Sequence, residues 1–425
     1  MRPIRHNERI LSLLSSVVLF LLVTPVTMTY TLVSSVKTPY ILFTILFILL
    51  FLNIGAALFT KSENKRYFYQ SILTWSVIVI VMGGVMANNI MERGRVAVNL
   101  NHHTHDIVLQ LESAVRFLNK GVNPYATNYI GTPLESWEYG ELGKPAVNPA
   151  LFHFVMPPFY LYSAYPFYFS AKIFPGFFDG RMPLYTAAFL FLILFWFSIR
   201  DKNLRLFAIP FIAFLPGVFS YLIEGRSDYL VLLWQFAALV FLFRKKYIIS
   251  MTALVLALTT KQSSWFFMPF YLLSFIHIVR DRKRITNAIL YGLMLLYVII
   301  GPFIVWDTPH FMESMIGYLS GNATHSYPIA GYGLGMVLFD LGIIKSIHEP
   351  FPFFYWQIFV SVPLLVFLLM RLRKNVTQYF VSLFFAFFLF VSWWGMRYFH
   401  NSHIMYIGTW MCIGIVQLLD SRKNS

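Results

Sequence analysis

The sequence predicts an all-α polytopic membrane protein of about twelve transmembrane helices, with further juxtamembrane helices on its outer face. Three observations carry that prediction. Hydrophobic residues make up 58% of the 425 positions and charged residues only 12%, against roughly 25% charged in soluble domains. Apolar segments of about spanning length recur along the whole chain. Basic residues gather in the short loops between alternate segments. No soluble fold could hide this much Phe, Leu, Ile and Tyr, so the bilayer is the solvent.

The apolar segments run approximately over 10–33, 40–59, 68–88, 182–199, 204–222, 228–243, 247–261, 263–279, 286–305, 353–370, 376–394 and 403–419. The first follows Arg2, Arg5 and Arg9 and lacks a small-residue cleavage site before Lys37, so it reads as a retained anchor, not a signal peptide. Segment 247–261 is short against the ~17–25 residues of a usual span. The stretch 247–279 is therefore either two spans or a broken re-entrant pair.

With both termini in the cytoplasm, the cytoplasmic loops hold Lys61/Lys65/Arg66, Arg200/Lys202/Arg205, Arg244–Lys246, Arg280/Arg282–Arg284 and Arg371/Arg373/Lys374. The net charge of +15 is then accounted for on that side. A basic excess spread over short loops is a topology signal and argues against a nucleic-acid partner. The one cysteine, Cys412, excludes an intrachain disulfide.

Segment 151–178 is apolar enough for a span, but counting it would reverse every later loop. Its prolines, Pro157, Pro158 and Pro166, and its Tyr/Phe content suit an interfacial or re-entrant helix pair. Two large outer-face loops remain, about 89–181 and 306–352.

Ionisable groups at a membrane are functional candidates by default. The densest set is Asn101-His102-His103-Thr104-His105-Asp106. Ile107, Leu111, Ala114, Val115 and Leu118 then form one helical stripe, ended by Gly121 and the turn Asn123-Pro124-Tyr125. Asp106 thus opens an amphipathic helix at the bilayer surface. It is either the N-cap of that helix or a general base for a hydroxyl at the lipid boundary. Glu112, further along, is expected to face water. His103 and His105 have metal-ligand chemistry, but a solvated loop is the reading adopted and no metal site is assigned. Other outer-face polar groups are Glu224, Arg226, Asp228, Lys261, Asp307, Arg397, His400 and His403. The cations Arg226, Lys261 and Arg397 suit a phosphate group. Each taken singly is also readable as an interfacial anchor or a structural ion pair.

Four stretches together resemble the GT-C superfamily of integral membrane glycosyltransferases, in particular the mannosyltransferase-like glycosyltransferase family 87. They are Asp106–Gly121 with Asn123-Pro124-Tyr125, then Phe154-Val155-Met156-Pro157-Pro158, then Glu224-Gly225-Arg226-Ser227-Asp228, and LALTTKQSSWFFMPF with Lys261 and Pro269. The resemblance implies a GT-C-like core over 68–305 that includes the catalytic outer loop 89–181. Two accessory helices in 1–67 would precede it, and an outer loop with C-terminal spans in 306–425 would follow.

The resemblance further implies inverting transfer of a sugar, mannose or another hexose, from a polyprenyl-phosphate donor to an acceptor hydroxyl on the non-cytoplasmic face. Asp106 would be the catalytic residue. Lys261 and Arg226 would bind the donor phosphate, with Asp228, Glu224, Tyr125, Arg397 and His400 completing the substrate-binding set. The expected partners are the lipid-linked sugar, membrane lipids and a glycan, lipid or protein acceptor. A divalent cation is an optional further component, and the expected setting is a prokaryotic plasma membrane. The alternative is a transporter or flippase of a lipid-linked sugar. Transporters place polar groups near the midplane within repeated halves, whereas here the candidates cluster at one face.

Overall fold

The computed structural model describes residues 9–23, 40–95, 104–173 and 178–422. Asn101, His102 and His103 lie outside the described residues, as does the second half of the N-terminal apolar run. The main helices are α1 (Arg9–Val23), α2 (Tyr40–Phe59), α3 (Glu63–Ile78), α4 (Gly84–Arg95), α5 (Asp106–Asn119), α6 (Pro158–Ile173), α7 (Met182–Ser198) and α8 (Lys202–Ala213). There follow α9 (Pro216–Glu224), α10 (Asp228–Phe243), α11 (Tyr247–Leu258), α12 (Met268–Val279), α13 (Arg282–Trp306), α14 (Phe354–Lys374), α15 (Gln378–Trp394) and α16 (Asn401–Arg422). Two short ladders complete the described fold. Gly140–Glu141 (β1) pairs antiparallel with Lys144–Pro145 (β2), and Ala330–Gly331 (β3) pairs parallel with Tyr398–Phe399 (β4).

The fold is all-α, but twelve full-length spans are not present among the described residues. Four helices are long and apolar enough to cross a membrane: Glu63–Gly94, α13, α14 and α16. A fifth span results if the bent pair Lys202–Ala213 and Gly217–Glu224, at 52°, is one crossing. Six more apolar helices are shorter, α10 with 16 residues among them. At ~1.5 Å per residue such a helix covers about 24 Å, short of the ~30 Å hydrocarbon core. Local chemistry explains the shortfall. Pro210 lies inside α8, and Thr259–Lys261 interrupts the apolar run after α11. Conversely, a π turn at Val79–Gly83 lets α3 and α4 run on as one long helix.

The chain divides into two compact units. The first draws on residues up to Ala97, Leu192–Ile223 and residues from Ile415. Here α1, α2 and α3 meet through buried polar side chains. The Ser12 hydroxyl donates to Gln70 Oε1 (2.5 Å), Gln70 Nε2 donates to the Ser12 carbonyl (3.1 Å) and to Ser16 Oγ (2.9 Å), and Asn53 Nδ2 donates to Thr74 Oγ1 (3.2 Å). Where lipid offers no hydrophobic drive, such bonds hold helices together at ~0.6 kcal/mol each on average. Gln70→Leu is therefore expected to cost about 1–2 kcal/mol, read as a lower thermal midpoint in detergent. An unchanged midpoint would remove the network from the stability account.

The second unit draws on Val98–Phe191 and Glu224–Gly414. The stretch 247–279 is resolved as an antiparallel pair. After Lys261 the chain makes a 3-10 turn, Gln262–Phe267, then descends as α12. The Ser250 hydroxyl meets the Tyr271 hydroxyl at 2.7 Å, and Tyr247 packs edge-on against Phe275. Phe267, Phe270, Phe385 and Trp410 form an aromatic core between α12, α15 and α16. Gly292 lets α13 approach α11, with Met251 Sδ 3.0 Å from where a Cβ would stand.

Following the helices end to end sorts the charges. Arg244–Lys246, Arg280–Arg284 and Arg371–Lys374 lie at one end of this unit. Asp228, Lys261 and the Trp394 end of α15, with Arg397 after it, lie at the other. Leu290, Leu293, Met294, Tyr297 and Val298 leave one face of α13 exposed and apolar, as a lipid-facing helix requires.

Among its described residues, the segment predicted as an interfacial or re-entrant helix pair holds one α-helix, α6, with Pro166 inside it. It starts where the Phe159 amide donates to the Thr259 carbonyl (2.8 Å) and packs Tyr162 on Phe303. The chain beyond it returns to α5, where the Gly180 amide donates to Glu112 (2.8 Å). Both ends of the segment therefore sit at the Lys261 end of the unit.

Candidate active site

Helix α5 begins with Asp106 in its first turn, but the N-cap is His105, in extended conformation (φ −70°, ψ 146°). The capping reading of Asp106 is thereby replaced: its carboxylate is one position inside the helix. His105 Nδ1 lies 2.6 Å from Asp106 Oδ1, and Asn148 Nδ2 donates to Asp106 Oδ2 at 3.1 Å. A single Nδ1 cannot both donate to the carboxylate and accept from the Ile107 amide, 3.3 Å away. The contact to the carboxylate is shorter and charge-assisted, so it takes the proton. The imidazole is steadied from behind. The His105 amide donates to the Glu224 carbonyl (2.8 Å), and Trp137, whose ring lies beside it, donates to the Thr104 carbonyl (2.9 Å). Burial pushes the Asp106 carboxyl up, but His105 and the hydrogen bonds from His105, Asn148 and the Ile107 amide outweigh it. Asp106 therefore titrates below its ordinary value and is ionised at neutral pH.

The rest of α5 is not the surface helix its stripe predicts. From Val108 to Val115 it is buried on every side. Gln110 Nε2 donates to the Ala150 and His153 carbonyls, both at 2.6 Å. Glu112, expected in water, is 2% exposed and accepts from Gly180. Segments 148–153 and 179–181 cover the polar face, and a stripe pattern carries no trace of such distant covers.

The connection after α9 supplies two ion pairs. Arg226 Nε sits 3.1 Å from Glu224 Oε2, and its Nη1 donates to Ser402 Oγ (3.2 Å). Lys261 Nζ sits 2.6 Å from Asp228 Oδ1, the two side chains 25% and 22% exposed. Gly225 between them has φ +89°, and a Cβ there would lie 2.4 Å from Val108 Cγ2 and 2.7 Å from Arg181 Cγ. Only glycine lets the loop press so closely on α5.

Lys261 borders a cavity of about 540 Å³ within the second unit. Gln262, Phe353, Trp393, Tyr398 and His403 share its lining with Ile316 and Leu319, so polar groups meet aromatic and aliphatic walls. His400 bonds the Tyr327 hydroxyl (3.1 Å), and its amide donates to His403 Nδ1 (2.9 Å). Burial, with Arg226 and His105 nearby, pushes His400 down to about 4, so it is neutral at pH 7.

Two further expected site residues are occupied structurally. Tyr125 is 2% exposed; its hydroxyl donates to the Met156 carbonyl (2.8 Å), and Phe154, Phe303 and Phe311 meet its ring edge-on. Arg397 borders the cavity but spends its guanidinium on the carbonyls of Tyr327 (2.5 Å), Glu349 (2.9 Å) and Ile347 (3.1 Å). It ties Tyr327 to the Ile347–Glu349 stretch of the second outer loop. Sequence reasoning missed Asn148 and the fully buried pair Asp179–Arg181 (2.7 Å), and it placed His403 on the outer face without a role. A charged pair directly before the apolar α7 was the available signal for Asp179–Arg181. Among the described residues no group of three or more His, Cys, Asp or Glu could hold a metal ion.

Fold and site define an all-α protein with helices long and apolar enough to cross a membrane, and with a carboxylate–imidazole couple near two ion pairs. In comparison with known proteins, no family model matches the chain and no curated protein matches it.

Proposed function

We propose that the protein is an integral membrane glycosyltransferase that moves a sugar, mannose or another hexose, from a polyprenyl-phosphate donor to an acceptor hydroxyl. One observation carries the reading. An ionised carboxylate, Asp106, stands at the same end of the second unit as Lys261–Asp228 and Glu224–Arg226, opposite the basic clusters. Asp106, coupled to His105, takes the acceptor's proton as the acceptor oxygen attacks the anomeric carbon in line. The bond from that carbon to the phosphate oxygen breaks, and the lipid phosphate leaves with the electron pair, giving inversion. Lys261 has two N–H donors beyond the one facing Asp228. With Arg226 it stabilises the charge developing on the phosphate. The site end faces away from the cytoplasm, by the positive-inside rule, and a prokaryotic plasma membrane suits the reading. The acceptor is a glycan, a lipid or a protein.

The test is transfer from a panel of polyprenyl-phosphate sugars by purified protein and by Asp106→Asn. The pH profile gives a second check. A carboxyl whose folded pKa is depressed contributes stability above its unfolded value of ~3.9, and that contribution is lost as pH falls through the lower folded value. The same charge is the base, so Asp106 imposes no acid limb on kcat/KM between pH 5 and 8. A limb within that range would transfer the role of proton acceptor to a histidine.

A further inference from the structure

We infer that His403 binds the lipid donor, its Nε2–H donating to a non-bridging oxygen of the phosphate carried on an apolar chain, the phosphate that leaves as a monoester once the sugar is transferred. The inference rests on the reading of the site given under Proposed function and adds a residue to it. The His400 amide donates to His403 Nδ1 at 2.9 Å, so Nδ1 is the bare nitrogen. The proton of the neutral ring is then on Nε2, at the opposite edge. Among the described residues nothing accepts that N–H. The ring lines the 540 Å³ cavity together with Lys261, and Trp393 holds it edge-on at a centroid distance of 4.7 Å. Lys261, Asp228 and Arg226 are its charged neighbours.

A fixed N–H donor and an ammonium at one part of a cavity whose other walls are Phe353, Phe354 and Trp265 suit an amphiphile. The phosphate meets the donors, and the first units of the chain lie on the aromatic walls. Asp228 already offsets the charge of Lys261, so a second donor matters: the His403 N–H adds a hydrogen bond to the phosphate beside the ammonium.

The experiment measures binding of farnesyl phosphate, farnesol and inorganic phosphate to purified full-length protein in detergent. His403→Asn keeps an oxygen for the His400 amide and removes the donor at the Nε2 position. His403→Gln restores a donor there. Wild type should prefer farnesyl phosphate to farnesol. His403→Asn should weaken farnesyl phosphate about tenfold or more while leaving farnesol unchanged, and His403→Gln should regain most of the loss. A role confined to accepting the His400 amide would leave His403→Asn at wild-type affinity, and that result overturns the inference. Equal His403-dependent affinity for inorganic phosphate would overturn the lipid assignment. A wild type that binds farnesol as well as farnesyl phosphate would instead refute the donor reading of the site itself.

Discussion

Asp106→Asn is expected to lower the rate of transfer about 10²–10⁴-fold, the usual worth of a positioned general base, and to leave folding nearly intact. The substitution conserves shape. An asparagine oxygen still accepts from His105 Nδ1, so the couple that orients the ring survives in neutral form. What disappears is the charge, with the capacity to take a proton from the acceptor, and the bond from Asn148 Nδ2, which would face the new amide nitrogen. The carboxylate also gains from the helix N-terminus beside it, by ~0.3–1 kcal/mol, and its bonds to His105 and Asn148 are charge-assisted. The variant should therefore melt slightly lower while binding a polyprenyl-phosphate donor as wild type does. Single-turnover transfer and donor binding, measured on the same preparation, separate the two. Transfer at the wild-type rate would remove Asp106 from the chemistry, and loss of donor binding with loss of transfer would make it a binding residue.

The parts legible in the sequence are those written in local chemistry. Helix α13 (Arg282–Trp306) overlays the predicted 286–305, and α16 (Asn401–Arg422) overlays 403–419, because an apolar run bounded by charged or aromatic residues reports its own limits. Asp106 at the start of a helix was readable for the same reason. What failed depends on contacts between distant residues. Whether an apolar run makes a full span depends on where Pro210 or the Thr259–Lys261 break falls in three dimensions. The burial of Glu112 depends on Gly180, and the second carboxylate bond of Asp106 on Asn148, 42 residues away. Arg397 and Tyr125 share a lesson. An outer-face cation or aromatic has the right chemistry for substrate, yet backbone carbonyls claimed these two first.

Arg181→Met should destabilise the protein by about 3–5 kcal/mol, the cost of breaking a buried ion pair by removing one partner. Arg181 and Asp179 are both fully buried, joined by Nη2–Oδ2 at 2.7 Å and Nε–Oδ1 at 3.0 Å, and the Arg181 amide adds a third bond to the same carboxylate at 2.9 Å. Removing the guanidinium takes the counter-charge and two hydrogen bonds from that carboxylate where water does not reach, and leaves the backbone amide bond in place. The double variant Asp179→Leu with Arg181→Met should recover much of the loss, since replacing a buried pair by apolar groups is often near neutral. The two sites are thereby expected to be strongly non-additive. A thermal midpoint in detergent for the two single variants and the double one decides the matter, and additive losses would refute the pairing account. The consequence extends to the site. The Arg181 stem is the surface on which Gly225 rests, and Gly225 sets the path from Glu224 through Arg226 to Asp228. The double variant should therefore fold and still transfer poorly, because a methionine restores apolar contact but not the straight guanidinium stem against which that loop is seated.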